Sequence, residues 1–209
     1  MIDVLIFNVE GWNEPEAKVL LESLPERLGS EITRYKAFKD QKLRLAARLM
    51  IQRYLQVNAY PVGLEGWERG EENKPFIKGG PCFNISHSGN LVVVSFAKTE
   101  VGIDLEEEKQ MDMTSMSAYF HPEELEYIGT QSPDLPRFYN LWVRKEAFLK
   151  ALGTGVMGDL IGKNSLKNTI LDGNKAWSIQ NIEVGKGYHC AICSSDAPMD
   201  VKITLLEHF

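Results

Sequence analysis

The sequence has few cysteines, no long apolar run and no excess of basic residues. Three cysteines in 209 residues are too few, and odd in number, for a disulfide framework. No apolar run approaches the ~18 residues of a membrane span, and a net charge of −6 argues against a nucleic-acid partner, because phosphate binding needs a basic face. The first residues show no basic region or small-residue cleavage site, so we expect no signal peptide, no membrane partner and a cytoplasmic location.

The acidic net charge conceals a strongly basic segment. Seven basic residues and one acidic residue, Asp40, lie between Arg34 and Arg53, which gives this stretch a charge of +6 and leaves −12 for the rest of the chain. Apolar residues at helical spacing form one narrow stripe of Leu43, Ala46, Ala47, Met50, Tyr54 and Val57. They predict a helix over residues 37–57, with Arg44 and Arg48 one turn apart on one flank of the stripe. That flank is either a solvated face or an anion site.

Apolar patterning predicts a mixed α+β protein with two subdomains, residues 1–105 and 106–209. The pattern favours a second long helix over residues 135–152 and a strand over residues 91–97, with residues 101–105 as its hairpin partner. After that helix, four short apolar runs separated by turn residues predict an antiparallel meander. These runs are 166–171, 176–182, 188–193 and 201–206.

Acidic residues alternate with apolar ones in the strand over residues 101–105. Residues two apart in a strand point to the same face, so Asp104 and Glu106 project together while Ile103 and Leu105 enter the core. Two such carboxylates repel each other unless a cation or proton lies between them, and oxygen ligands suit Mg²⁺. The alternative is an edge strand with a polar outer face.

The second long helix carries charged residues on and beside its apolar side. Glu146 and Lys150 are four residues apart, as in a surface ion pair that stabilises a helix weakly. Helical phase places Lys145 within the apolar side itself, so either its side chain extends out to solvent or this side of the helix lines a polar cleft.

Polar side chains also cluster where the strand beginning at Phe83 ends in Ser86-His87-Ser88-Gly89. Hydroxyls, an imidazole and exposed N–H groups at a turn can hold a phosphate. A serine nucleophile with His87 as base is disfavoured, because adjacent residues of an extended chain point apart. Cys190 and Cys193 have no second cysteine or histidine pair beside them, so we expect buried thiols rather than zinc ligands.

Four segments, taken together, resemble the Sfp-type 4′-phosphopantetheinyl transferases. They occur in that family's order and spacing, the resemblance covers nearly the whole chain, and the length fits this monomeric class rather than the shorter holo-acyl-carrier-protein synthase type. The segments are Asn73-Lys74-Pro75, Phe83-Asn84-Ile85-Ser86-His87-Ser88, Gly102-Ile103-Asp104-Leu105-Glu106, and Trp142 followed by Lys145-Glu146-Ala147 and Lys150.

The resemblance implies a pseudo-two-fold pair of similar α/β subdomains with coenzyme A in the cleft between them. It implies transfer of the phosphopantetheine arm of coenzyme A to a serine hydroxyl of an apo-carrier protein, with Mg²⁺ and release of 3′,5′-ADP. By position in the motifs, the Mg²⁺ ligands would be Asp104, Glu106 and Glu146. The contacts to the coenzyme A phosphates would be Lys74, Ser86, His87, Lys150 and, for the 3′-phosphate, Arg48 with Arg44 as a neighbour.

The sequence departs from the family in one place and leaves several points open. Some relatives carry lysines for the 3′-phosphate just before the first long helix, but residues 27–31 here read Arg-Leu-Gly-Ser-Glu, so Arg48 with Lys42 or Arg44 would replace them. Glu146, a water or His87 would take the hydroxyl proton, and Lys150 or His87 would stabilise the leaving group. We expect the carrier to dock near Phe120–Ile128, but the sequence does not identify it.

Two other functions also fit these residues. A Mg²⁺-dependent pyrophosphatase acting on coenzyme A would use the same carboxylates and would need no carrier protein. A non-catalytic coenzyme A-binding module would be recognised by the loss of one of the three acidic residues, and none is lost.

Overall fold

A computed structural model describes residues 1–111, 118–129, 133–153, 160–195 and 199–209, and in this part of the chain the protein is a mixed α+β structure. The described residues form five helices, ten strands and short 3₁₀ turns. The helices are α1 (Glu14–Leu21), α2 (Glu26–Thr33), α3 (Phe38–Val57), α4 (Pro122–Ile128) and α5 (Leu135–Leu152). The α+β class predicted from the sequence is therefore confirmed, as are the two long helices.

The strands form two four-stranded sheets and one small pair. The first sheet has the order β10-β1-β5-β4 and contains β1 (Ile2–Asn8), β4 (Cys82–Ser88), β5 (Leu91–Ala97) and β10 (Val201–Leu206). The second has the order β6-β9-β8-β7 and contains β6 (Val101–Glu107), β7 (Thr169–Asp172), β8 (Lys175–Asn181) and β9 (Tyr188–Ser194). β2 (Trp67–Arg69) pairs with β3 (Pro75–Ile77).

Two predicted strand pairings are wrong. β6 does not form a hairpin with β5; β5 pairs with β1 and β4, whereas β6 pairs with β9. β10 is not the last strand of the meander, because it pairs in parallel with β1. The two sheets thus exchange strands across the predicted division between residues 105 and 106, and that domain boundary stays a prediction.

α3 packs its apolar side against the first sheet. Its buried face is wider than the predicted stripe and also includes Leu45, Leu49, Ile51 and Leu55, since α1 and α2 cover the side of α3 away from the sheet. Val57, predicted to belong to the stripe, is 76% exposed at the end of the helix. None of the helices in the described residues combines the length and hydrophobicity needed to cross a bilayer.

α5 packs directly on β6, and a glycine makes this contact possible. A Cβ atom added at Gly102 would lie less than 3.0 Å from the Ala147 carbonyl oxygen and the Ala151 amide nitrogen. A side chain at this position would therefore push the helix off the strand. The close approach brings Glu146 and Lys150 of α5 beside the polar face of β6.

Candidate active site

The two sheets meet along β4 and β6, which are joined by side chains rather than by a backbone ladder. Asn84 Oδ1 accepts a hydrogen bond from Ile103 N (2.9 Å), Ser86 Oγ from Leu105 N (3.2 Å) and Ser88 Oγ from Glu107 N (3.0 Å). Alternate residues of a strand share a face, so three polar side chains reach alternate N–H groups of β6. This contact accounts for the polar spacing of the Asn84–Ser88 segment.

The same serines hold the carboxylates of β6. Ser86 Oγ donates to Asp104 Oδ1 (3.0 Å), and Ser88 Oγ donates to Glu106 Oε2 (3.0 Å). Lys150 Nζ also lies 2.6 Å from Asp104 Oδ1. Asp104 is 3% exposed, and its second oxygen, Oδ2, is buried and finds no hydrogen-bond partner among the described residues.

A third carboxylate, Glu146 of α5, lies beside these two. Burial raises the pKa of Glu146, and the nearby negative charge of Asp104 raises it further. Burial followed by the charge of Asp104 likewise raises the pKa of Glu106. Both shifts mean that the two glutamates would ionise more readily with a further cation beside them.

The donor set fits a hard divalent cation, although it is not arranged as a closed metal site. Within the described ranges, no three acidic, histidine or cysteine side chains already surround one point. Lys150 instead supplies the positive charge beside Asp104. The unpaired Asp104 Oδ2 and the oxygen-only donors of Glu106 and Glu146 are of the kind that Mg²⁺ prefers, so the chemistry of these residues fits the ion.

These carboxylates border a cavity of about 520 Å³. It brings together every site residue predicted from the sequence except Lys74. The predicted residues lining it are Arg44, Arg48, Ser86, His87, Asp104, Glu106, Glu146 and Lys150. Acidic residues thus lie at the β6–α5 end of the cavity and arginines at the α3 end.

Arg48 is the most unusual cation in this cavity. Its guanidinium carbon lies 4.5 Å from the centre of the Trp67 ring, only 8% of the residue is exposed, and its buried Nε finds no partner among the described residues. Burial, and then the charge of Arg69, lowers the pKa of Arg48 to about 10, so it remains charged at neutral pH. Arg48 is therefore not part of a solvated face.

Arg44 and His87 border the cavity near Arg48. The Arg44 guanidinium lies 3.6 Å from the Tyr35 ring centre, and Arg44 Nη1 donates to the Asp40 carbonyl oxygen (3.2 Å). Burial lowers the pKa of His87, and the charges of Arg44 and Lys150 lower it further. The imidazole is thus predominantly neutral at pH 7.

Two lysines that were predicted to bind phosphate donate to backbone carbonyl oxygens and do not line this cavity. Lys74 Nζ donates to the carbonyl oxygens of Lys150 (2.6 Å), Ala151 (3.3 Å) and Val101 (3.3 Å), which joins the β3 region to the end of α5. Burial lowers its pKa. Lys42 Nζ donates to Val9 O (2.9 Å), and Lys42 does not line the cavity. Of the two residues predicted to replace the missing lysines beside Arg48, only Arg44 lies in the cavity with it.

Comparison with known proteins gives one consistent result. A model of the 4′-phosphopantetheinyl transferase superfamily matches residues 100–193, and a model described as 4′-phosphopantetheinyl transferase, N-terminal, matches residues 11–99. The chain is 33% identical to the 4′-phosphopantetheinyl transferase gsp of Aneurinibacillus migulanus, over 93% of this chain and 86% of the relative. It is 29% identical to the 4′-phosphopantetheinyl transferase Sfp of Bacillus subtilis, over 77% of this chain and 75% of the relative.

The chain belongs to the Sfp-type 4′-phosphopantetheinyl transferase family. The resemblance inferred from the four motifs is thereby confirmed. Members of this family use coenzyme A as a substrate.

In this member of the family, Lys145 fits neither alternative predicted from its helical phase, extension into solvent or a place in a polar cleft. It is 1% exposed and forms an ion pair with Glu124 of α4 (2.7 Å), which is fully buried. Lys145 Nζ also donates to the carbonyl oxygens of Leu160 and Lys163, both at 2.9 Å. Lys145 therefore neither reaches solvent nor lines a polar cleft, and it ties α5 to α4 and to the segment beyond residue 160.

Two residues of the segment predicted to dock the carrier do not lie on the surface. Phe120 and Ile128 are 3% and 5% exposed and pack with Phe138 and Leu141 in the core beneath α4. Tyr127 of the same helix is 42% exposed. Phe120 and Ile128 thus attach this segment to α5, whereas Tyr127 lies at the surface.

Several residues that line the cavity were not predicted from the sequence to belong to the site. Tyr35, Trp67, Arg69 and Trp142 all border it. Arg69 follows Trp67 on β2, a short strand within residues 61–81, where glycine, proline and asparagine indicate a loop or a short irregular strand. An arginine five residues before Lys74-Pro75 was the available signal, but only the fold brings it next to Arg48.

Proposed function

We propose that this protein transfers the 4′-phosphopantetheine arm of coenzyme A to a serine hydroxyl of an apo-carrier protein, with Mg²⁺, and releases 3′,5′-ADP. The 520 Å³ cavity is the active site. One observation carries this proposal: a buried arginine whose Nε has no partner among the described residues and three carboxylates line opposite ends of a single cavity. A substrate with phosphates at one end and a divalent ion at the other matches that charge distribution.

Asp104, Glu106 and Glu146 would hold the Mg²⁺ ion. The unpaired oxygen of Asp104 and the raised pKa values of the two glutamates support this assignment. An ion held there would supply positive charge to offset the charge on the pyrophosphate oxygens. With Asp104 held by the ion, Lys150 would be available to the phosphates.

The basic residues of the cavity would bind coenzyme A along its length. Arg48 and Arg44 hold the 3′-phosphate of the adenosine end, where Tyr35 and Trp67 supply flat apolar surfaces. Ser86, His87 and Lys150 contact the pyrophosphate. The phosphate contact predicted for Lys74 stays a prediction, because Lys74 contacts three carbonyl oxygens in this structure.

The transfer needs a base for the serine proton and a group that stabilises the leaving phosphate. Glu146 accepts the proton, directly or through a water, because a carboxylate at the metal site reaches the reacting centre. The serine oxygen attacks the β-phosphorus in line. Lys150 or His87 stabilises the departing 3′,5′-ADP, and the neutral imidazole of His87 is the alternative base.

The proposal extends to the architecture and to the setting in which the protein works. The two four-stranded sheets, each with one long helix, form a pseudo-two-fold pair with the active site in the cleft between them. The similar make-up of the two halves supports this description. On the basis of the sequence, we also propose a cytoplasmic monomer whose partners are coenzyme A and a carrier protein.

Release of 3′,5′-ADP tests this proposal against a coenzyme A pyrophosphatase. The transferase should release 3′,5′-ADP from coenzyme A and Mg²⁺ only when an apo-carrier is present, whereas a pyrophosphatase releases it without a carrier. Asp104→Ala should abolish release, because the ion loses a ligand, and Glu10→Gln, which removes an exposed charge outside the cavity, should not. Carrier-independent release, or full activity of Asp104→Ala, would refute the proposal.

A further inference from the structure

A second cavity, of about 410 Å³, adjoins the arginine end of the proposed active site. The two cavities share four lining residues, so they adjoin at these side chains. The shared residues are Tyr35, Arg44, Arg48 and Arg69. Arg34 also lines the second cavity, and Glu31 is its one acidic residue. A carboxylate thus lies within a cluster of four arginines.

Glu31 already engages one of these arginines. Its Oε2 lies 3.2 Å from Arg69 Nη2, and its side chain is 27% exposed. Its Oε1 lies 3.7 Å from Arg27, whose guanidinium donates to the Trp67 carbonyl oxygen and which does not line the cavity. Glu31 therefore partly neutralises Arg69, while the guanidinium of Arg48, nine-tenths buried, keeps an unpaired Nε.

An anion that enters this cluster meets two opposing effects. Arg48 attracts it strongly, because its buried guanidinium has lost its water and forms no ion pair within the described residues. Glu31 repels it and competes with it for Arg69, and a phosphomonoester, with nearly two negative charges at pH 7, is the ligand most affected. A ligand without that phosphate should be nearly indifferent to Glu31.

We propose that Glu31 is a specificity-determining residue for the phosphopantetheine donor, which weakens the binding of the 3′-phosphate. The inference rests on the proposed function, since it takes the adenosine end of coenzyme A to lie against Arg48 and Arg69. The protein then discriminates less between coenzyme A and 3′-dephospho-coenzyme A than it would with a neutral residue at position 31. Removing the charge sharpens that discrimination.

Direct binding of two nucleotides tests this role without relying on turnover. For Glu31→Gln, titration calorimetry at fixed low salt should show the Kd of adenosine 3′,5′-bisphosphate falling about five-fold, the size expected of one partly exposed charge. The Kd of 3′-dephospho-coenzyme A, which carries no phosphomonoester, should change less than about two-fold on the same argument. Glu31→Lys, which reverses the charge, should tighten bisphosphate binding further.

Glu26→Gln is the matched control, since Glu26 is an exposed acid of the same helix that lies outside the cavity. It should change neither Kd. Weaker bisphosphate binding by Glu31→Gln would overturn the proposal, because Glu31 would then position Arg69 for the phosphate. Equal tightening for both nucleotides, or no change, would overturn it as well.

The donor preference of the intact reaction separates this inference from the proposed function. With an apo-carrier, the ratio of kcat/KM for coenzyme A to that for 3′-dephospho-coenzyme A should rise about five-fold in Glu31→Gln, by the same charge argument. If no carrier is modified but the calorimetric change appears, the transfer function fails and the role of Glu31 stands. If carriers are modified and neither ratio nor Kd changes, only the role of Glu31 fails.

Discussion

Arg48 shows most clearly how a single residue reports a ligand. Replacing it with methionine keeps the packing on Trp67 and removes the charge, so the Kd for coenzyme A should rise about 10–100-fold, as expected for a desolvated arginine–phosphate contact. The rise should largely disappear with 3′-dephospho-coenzyme A. Calorimetry with both donors measures this difference.

Arg53→Met is the control for that experiment. Arg53 is an exposed arginine of the same helix, and its side chain donates a hydrogen bond to the His208 carbonyl oxygen. It should leave both Kd values unchanged. An equal loss of both donors in Arg48→Met would instead place Arg48 in helix packing or at the carrier surface.

Glu146 should show opposite effects on activity and stability. Glu146→Gln should lower transfer about 100-fold or more, because it removes a metal ligand and the base. Its pKa is raised on folding, so the folded state disfavours the charged form at neutral pH, and stability rises as pH falls through that pKa. The metal-free variant should therefore have a higher Tm and a weaker pH dependence between pH 7 and 5; a lower Tm would contradict this account.

At the residue scale, the sequence predicted the acidic end of the site better than its basic end. Asp104 and Glu106 alternate along one strand, and Glu146 and Lys150 share one helix turn, so local periodicity places each pair. Arg69 lies far from Arg48 in sequence and meets it only through the β2–β3 pair. No local pattern carries that information.

At the scale of elements, the contact between α5 and β6 depends on Gly102. Gly102→Ala should destabilise the fold by at least about 2 kcal/mol, because the new methyl group overlaps two backbone atoms that cannot move separately. Gly11→Ala is the control, since no atom lies near a Cβ at that position. Denaturant unfolding measures both, and a stability close to wild type for Gly102→Ala would mean that the helix does not pack this tightly.

The buried pair between α4 and α5 predicts a strong dependence of one partner on the other. Lys145→Met should cost about 3–5 kcal/mol, because it leaves the Glu124 carboxylate buried without its cation. Adding Glu124→Gln should recover part of that loss, since the amide oxygen still accepts from Ser165 N. A double variant no more stable than Lys145→Met would show that the pair is not coupled.

Lys74 tests the attachment of the end of α5. Lys74→Met should lower the stability of the ligand-free protein by about 1–3 kcal/mol, because three carbonyl oxygens lose their donor. Thermal unfolding measures this loss, and an unchanged Tm would contradict it. The KM for coenzyme A reports separately on the phosphate contact predicted from the sequence.

Helices and strands were predictable from local patterns in the sequence. The pairing of strands was not predictable where the partner strand is distant along the chain. The 3.6-residue period of α3 and α5 is visible in the sequence, and so are the short apolar runs of the strands. Strand pairing is not visible, because β10 reaches β1 across the whole chain and β6 binds β4 through side chains. A turn at Lys98–Glu100 predicts a hairpin equally well whether or not the second strand stays in the sheet.

At the scale of the whole molecule, the segregation of charge is consistent with the proposed reaction. The basic segment between Arg34 and Arg53 supplies Arg44 and Arg48 to the cavity, whereas the acidic remainder of the chain supplies Asp104, Glu106 and Glu146. A substrate with several phosphates and a divalent ion is held between the two. The fold thus brings a basic segment and acidic residues from the rest of the chain together at one cavity.

The covalent modification of a carrier protein tests the central claim most directly. The protein, coenzyme A and Mg²⁺ are incubated with a panel of apo-carriers, and intact mass spectrometry should show a gain of about 340 Da, the mass of one phosphopantetheine arm, on at least one of them. The gain should vanish when the acceptor serine of that carrier is replaced by alanine and when the protein carries Asp104→Ala. A panel whose masses all stay unchanged while wild-type protein consumes coenzyme A would contradict the account.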